Sequence, residues 1–181
     1  WASLPTPHRP AALRARCRTD RDLFCLTFFP DVFDLGWSPV HLEFLGRTKV
    51  GWRDRTRQIQ RADLAPRGSS KTTLENFADL LHDAVYGLEV CTLVYSTTFP
   101  DSERMVKALH SVFTSPDAHP IFHSIYGPFR VTGTQTEFAV FCPGGEALGS
   151  QYAAKSFGGS GRGHLYRNKR PSKITMDDIV H

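Results

Sequence analysis

No stretch of this chain approaches the roughly 18 consecutive apolar residues that a membrane-spanning helix needs. A secretory leader pattern is also missing at the amino end. Cysteine is scarce: Cys17, Cys25, Cys91 and Cys142 stand without C-x-x-C spacing. The 8 histidines show no H-E-x-x-H grouping, and one H-x-x-x-H spacing, His119 and His123. Both absences argue against a zinc site and predict reduced, partly buried thiols in a cytosolic protein. No segment repeats at a fixed period, which excludes solenoids and propellers. Charge of one sign is not in great excess. The formal net charge is +4 and the isoelectric point is near 9.0. That balance permits a polyanionic partner without requiring one.

What is there is ordinary globular material. The 181 residues are 40% hydrophobic and 22% charged, enough for one domain with a real core. The chain starts at a Trp and stops at His181 just after an apolar-acidic run, so we expect a fragment. Residues 1–21 are rich in Pro and Arg and are expected to form a flexible arm. Residues 22–56 form an aromatic-rich N-terminal helical segment. There "FCLTFFPDVFDLGW" predicts a short helix and loop. In "SPVHLEFLGRT", Ser38 is the expected N-cap and Pro39 the first helical residue, with Val40, Phe44 and Leu45 on one face.

Residues 57–181 carry the remaining pattern. "RQIQRADL" alternates as an expected strand. From Lys71 to Tyr86, Leu74, Phe77, Ala78, Leu81 and Val85 keep a helical period, and Gly87 ends it. "VCTLVY" is a continuous apolar run suited to a strand buried on both faces. "PDSERMVKALHSVF" predicts a helix with Ser102 near its cap, and short strands follow at Phe138–Phe141 and Lys173–Met176. This alternation predicts an α/β fold with a mainly parallel sheet.

Two stretches carry chemistry. "APRGSSKTT" places Lys71 and Thr72 at a helix start, as in the phosphate-binding pattern G-x-x-x-x-G-K-[ST]. In that pattern backbone N–H groups surround an anion, Lys reaches the outer phosphates and the hydroxyl ligates Mg²⁺. Ala65 and Ser70 stand where the two glycines would be, and a capped helix would present the same Lys-Thr. "KITMDDIVH" puts Asp177 and Asp178 at the end of an apolar strand, where a carboxylate could hold Mg²⁺. A helix cap or solvated turn would also explain that pair. Together, roughly 105 residues apart, the two stretches fit one ion site in a sheet with crossovers.

"APRGSSKTT", "VYSTTFPDSERMVKAL" and "RGHLYRNKRPSKITMDDI", with "FFPDVFDLGWSPVHLEFL" upstream, resemble in order and spacing the ATPase motor domain of the large terminase subunit of tailed bacteriophages. That resemblance implies a P-loop NTPase-like three-layer sandwich, cut off soon after its Walker B strand, so that no nuclease domain is present. It implies ATP hydrolysis with Mg²⁺ that drives double-stranded DNA into a procapsid. The implied partners are a portal protein, a small terminase subunit and further copies in a ring, in the cytoplasm of an infected bacterial host and without a membrane.

Carried over by position, Pro66 to Thr73 line the nucleotide. Gly68, Ser69 and Ser70 donate backbone N–H groups, Lys71 contacts the β- and γ-phosphates, and Arg67 senses the γ-phosphate. Thr72 and Asp177 hold Mg²⁺. Gln58 or Gln60 meets the adenine edge. Ser96, Thr97 and Thr98 resemble a family segment near nucleotide or DNA. Such motors usually set a Glu beside the Asp; here Asp178 takes that place as the water-orienting group.

The basic Gly-rich segment offers Lys155, Arg162, Arg167, Lys169 and Arg170 to DNA phosphates, or Arg162 to a neighbour's ATP. A solvated basic loop is the alternative. Two other functions remain open at this level: another P-loop DNA-dependent ATPase of the helicase or repair type, and a non-catalytic nucleic-acid-binding domain with a degenerate loop.

Overall fold

A computed structural model describes residues 8–34, 36–49, 72–143, 149–158 and 163–177. The chain divides into two compact units, Trp1–Glu75 and Asn76–His181.

Three helices make up the described part of the first unit: α1 (His8–Thr19), α2 (Arg21–Phe28) and α3 (Pro39–Lys49). The arm expected over residues 1–21 thus contains a helix. Asp20 caps α2 by accepting the Leu23 N–H at 3.0 Å. Phe24, Cys25 and Phe28 are the buried apolar side chains of α2. Ser38 caps α3 as expected, its hydroxyl accepting the His41 N–H at 3.3 Å. His41 answers with Nδ1, which accepts the Ser38 N–H at 3.2 Å and so closes a reciprocal cap. Leu45 is buried, but Val40 lies at the exposed start of the helix.

The π-helical turns Thr72–Ala78 bridge the two units in sequence and continue into α4 (Asp79–Val85). Gly87, at φ 60°, ends α4. Its N–H bonds the Ala84 carbonyl at 3.2 Å and the Leu88 N–H bonds that of Asp83 at 2.9 Å, which satisfies the last carbonyls. The expected helix and its glycine stop are therefore present, although the first turns are wider than α-helical.

The second unit is a mixed α/β domain. Its strands are β1 (Cys91–Ser96), β2 (Arg130–Gly133), β3 (Glu137–Phe141), β4 (Ser150–Ser156) and β5 (Lys173–Asp177), in spatial order β2-β3-β4-β1-β5. Strand β1 lies parallel to both β4 and β5, whereas β2–β3 and β3–β4 are antiparallel. The sheet is thus mixed, where a mainly parallel one was expected. The cause is the β2–β3 hairpin, which lines up beside β4 before the chain returns. Helix α5 (Phe99–Thr114) follows β1, and α6 (Pro120–Tyr126) follows α5. Thr98 occupies the N-cap position of α5. Ser102 sits a turn inside, fully buried, and bonds the Phe99 carbonyl at 2.9 Å, so it is not the cap.

Register fixes which side chains share a face. Phe138, Tyr152, Thr92 and Lys173 form one row across the strands, and Ser156, Ser96 and Asp177 form another on the same face. Both α4 and α5 pack on that face. The Tyr152 hydroxyl donates to the Leu80 carbonyl at 2.8 Å, and the Phe138 ring meets His110 and Phe113 at 5.1 and 6.4 Å. Burial pushes the Tyr152 phenol well above its ordinary pKa, and the Asp83 charge adds to this.

Candidate functional site

Parallel strands leave their carboxyl ends at one edge, and in open α/β sheets that edge is where ligands bind. Here it is built from Ser96, Ser156 and Asp177, adjacent in register on the helix-covered face. The Ser96 hydroxyl donates to the Asp177 carbonyl at 3.2 Å, and the Phe157 N–H bonds the Ser96 carbonyl at 3.2 Å. These bonds tie the three strand tips into one ledge. Asp177 is 7% exposed. A carboxylate so buried is costly unless cations or hydrogen bonds compensate it, and Asp177 is engaged by its surroundings.

The helix that follows the Lys-Thr sequence is fastened to β5 at two points. The Thr175 hydroxyl donates to Asn76 Oδ1, and Lys173 Nζ pairs with Asp83 Oδ2 at 2.7 Å. Asn76 precedes Asp83 on the helix, while Thr175 follows Lys173 on the strand. From Asn76 to Asp83 the helix therefore runs antiparallel to β5, with Asn76 on the side of the carboxyl edge. Asn76, 4% exposed, and Asp83, 0% exposed, are polar groups that cannot be left unmatched inside, so the contacts specify both register and direction.

The remaining expected residues fall as follows. Thr72 and Thr73 open the π-helical turns in the first unit, and Asp177 ends β5 in the second. Gln58, Gln60, Pro66, Arg67, Gly68, Ser69, Ser70, Lys71, Arg162 and Asp178 lie outside the described residues. Thr98 donates to Asp101 Oδ2 at 2.5 Å, and Asp101 also pairs with Arg104 at 2.8 Å, so this polar corner is occupied by the start of α5.

The basic segment is not a uniform fringe. Lys155 belongs to β4 and lies 3.8 Å from Glu137 Oε2. Glu137 Oε1 in turn accepts from Gln151 Nε2 at 3.0 Å, and Gln151 Oε1 faces Cys91 Sγ at 3.2 Å and His164 Nε2 at 3.1 Å. This network fastens His164 to the sheet. It also contributes to the Cys91 thiol, which burial, then the Glu137 charge, push up to about 11 against the pull of Lys155. Arg167 folds back over Phe141 and Tyr166, while Lys169 and Arg170 are exposed.

Sequence reasoning missed Asn76, Thr175 and the Arg130 that shares the Phe141 ring with Arg167. Only contacts across the fold reveal them. A groove of about 760 Å³ between the ends of α5, α6 and β2 has Phe113 and Phe129 in its wall, but its His123 Nε2 is held by the Val112 carbonyl at 2.8 Å. Among the described residues no group of three or more His, Cys, Asp or Glu is placed to hold a metal by itself. No helix among them is long and apolar enough to cross a membrane. The fold and its edge thus define a mixed α/β domain with a buried carboxylate at a strand tip. No protein-family model, curated protein or solved structure matches the chain.

Proposed function

We propose that this chain is an ATP-hydrolysing motor domain of the kind found in the large terminase subunit, which moves double-stranded DNA into a procapsid. One observation carries the reading. From Asn76 to Asp83 the helix runs antiparallel to β5, so along that stretch it leads away from the carboxyl edge of the sheet. A phosphate-binding loop needs that polarity, because the anion meets the positive end of the helix and the strand-tip carboxylate from one side. The P-loop NTPase-like three-layer arrangement is part of this proposal.

In this reading Gly68, Ser69 and Ser70 direct backbone N–H groups at the phosphates, and Lys71 neutralises the outer ones. Pro66, Thr73 and Gln60 shape the nucleotide pocket. Thr72 and Asp177 are the residues that would offer oxygen ligands to Mg²⁺, and the chemistry of each would suit a hard cation. Such a cation would supply charge neutralisation to the phosphates. Asp178 orients the attacking water, and Arg67 offsets charge on the γ-phosphate. DNA, a portal protein, a small subunit and ring neighbours are partners of this proposed motor.

The test is calorimetric titration of Mg²⁺–ATP into the full chain. Wild type binds, Lys71→Ala abolishes binding, and Asp177→Asn removes the Mg²⁺ requirement while leaving residual nucleotide affinity. Unchanged binding in Lys71→Ala removes the assignment.

A further inference from the structure

Strand β2 is an edge of the sheet, and among the described residues nothing pairs with its outer side. Which of its backbone groups face outward follows from the hydrogen bonds of the neighbouring strand. The Ala154 N–H bonds the Thr136 carbonyl at 2.9 Å, so Phe138 and Val140 of β3 also turn their backbone groups toward β4. Glu137, Ala139 and Phe141 turn theirs the other way, as the bond of 2.8 Å from the Thr134 N–H to the Glu137 carbonyl confirms. Register sets Ala139 and Phe141 opposite Thr132 and Arg130, so these two residues tie β2 to β3. Val131 therefore presents its N–H and C=O to the outside. An open row of such groups is a template for one more strand.

The two faces of that edge differ in chemistry. Val131 lies opposite Val140, on the sheet face where α5 packs. There it joins Phe113, Pro116, His123 and Phe129 around the groove of about 760 Å³. The groove is preformed. Phe129 stacks on Phe122 at 5.3 Å and meets Phe113 and His123 edge-on at 5.0 and 4.9 Å. His123 is itself fixed by the Val112 carbonyl. A wall already held in place costs little ordering when a guest arrives. On the opposite face stands Arg130, exposed, with its guanidinium carbon 3.9 Å from the Phe141 ring centroid. The ring orients this cation without neutralising it, and no ion pair holds Arg130 among the described residues.

We propose that the outer edge of β2 and this groove form a docking site for an extended peptide segment of a partner protein, one that alternates apolar and acidic side chains. Added as a further strand about 4.8 Å beyond β2, such a segment sends successive side chains to opposite faces. Its apolar residues enter the groove beside Val131, and its carboxylates meet Arg130. Strand β2 has 4 residues, a span of about 13 Å, so a short segment suffices. Hydrogen bonding and charge together select this occupant. A nucleic acid lacks the evenly spaced amides that answer a strand edge. A second copy pairing through β2 would bring its own Arg130 to the same face, and the net charge of +4 on each chain opposes that. The inference goes beyond the nucleotide reading and holds whether or not ATP binds.

The test is fluorescence anisotropy of a labelled synthetic peptide, Glu-Val-Glu-Phe-Glu-Val, titrated with the full chain. N-methylation of the peptide needs no change to the protein. Methyl groups on the alternate amides that face β2 should weaken binding about fivefold for each hydrogen bond lost, and methyl groups on the other set should leave it unchanged. Serine in place of the peptide's phenylalanine should weaken binding roughly tenfold. Arg130→Glu should weaken it at least about threefold and shift the preference to Lys-Val-Lys-Phe-Lys-Val. Val131→Pro removes the outward donor while breaking no bond to β3, which edge positions tolerate, and should lower affinity about fivefold. Circular dichroism melts show whether that variant folds; if it does not, the N-methyl comparison decides. Absence of saturable binding, equal loss from both methylated sets, or an unchanged preference in Arg130→Glu overturns the proposal. So does sedimentation showing a dimer that Val131→Pro splits, because the edge would then belong to a second copy.

Discussion

Removing the ammonium of Lys173 tests the orientation on which the functional reading rests. Lys173 Nζ stands 2.7 Å from Asp83 Oδ2, with side-chain exposures of 9% and 0%. Bringing two such charges out of water costs several kcal/mol per ion, and mutual attraction returns it only while both are present. Lys173→Met keeps the length of the side chain but strands the Asp83 carboxylate beneath α4. The expected loss is about 3–5 kcal/mol. That is a large share of the roughly 5–15 kcal/mol that holds a domain together. At this chain length it corresponds to a Tm lowered by about 6–20 °C. The double variant Asp83→Leu/Lys173→Met should recover most of the loss, because an apolar pair of similar volume has no desolvation cost. Urea unfolding of wild type, both single variants and the double closes the cycle. A loss below about 1 kcal/mol in Lys173→Met, the value of an exposed pair, would mean that the contact is solvated. The helix would then be held to β5 by Asn76 alone, and its direction would no longer be specified.

Other outcomes follow from single positions. Gly149→Ala should destabilise by about 2 kcal/mol or more, because φ 67° disfavours a side chain and the new Cβ would meet the Val140 carbonyl and the Phe141 ring at 2.8 Å. Gly158→Ala, at φ 84° with nothing within 4 Å, should cost only the backbone share, about 1 kcal/mol, and equal losses in urea melts would refute the packing argument. The Cys91 thiol should resist alkylation at neutral pH, since it is buried and titrates near 11. With the folded value raised, the unfolded chain loses this proton first. Stability is therefore complete below about pH 9 and falls by on the order of 2 kcal/mol toward pH 11. That increment should be absent from Cys91→Ala, and an identical pH slope in the variant would remove Cys91 as its source.

The elements legible in the sequence were those whose local signals suffice. "VCTLVY" is β-prone and apolar throughout, Ser38-Pro39 announces a helix start, and Gly87 closes the helix begun near Lys71. Strand β4 was not legible. "SQYAAKS" has two alanines and two serines and little β-propensity of its own, and it becomes a strand because β1 and β3 flank it. Helix α6 is 7 residues long, too short for a period to show, and is held by Phe122 and Tyr126 packed among rings. Helix α1 was read as an arm because residues 1–21 are rich in Pro and Arg, and its Ala11, Ala12 and Leu13 are consecutive and mark no helix face. The tight turn at Arg167-Asn168 lacks the glycine that would have announced it.

The candidate site was legible as residue types and illegible as geometry. Lys71, Thr72 and Asp177 stand out by motif, but what orients the helix against its strand are two pairs 99 and 90 residues apart in sequence, Asn76–Thr175 and Asp83–Lys173. No local pattern encodes such pairs. Their chemistry is nevertheless ordered. The neutral pair lies nearer the carboxyl edge and the charged pair farther from it. At about 3.3 Å per residue, Thr175 is about 7 Å along the strand from Asp177, and Lys173 about 13 Å. A buried ammonium close to Asp177 would compete for its carboxylate with any cation arriving there, whereas an Asn–Thr contact fixes the helix without adding charge. Placing the ammonium farther along the strand and pairing it with Asp83 at 2.7 Å weakens its pull at the strand tip. If this separation matters, Thr175→Lys, which brings an ammonium to the edge, should suppress Mg²⁺-dependent nucleotide binding far more than Thr175→Val. Equal effects of the two substitutions in calorimetry would show that the contact serves packing alone.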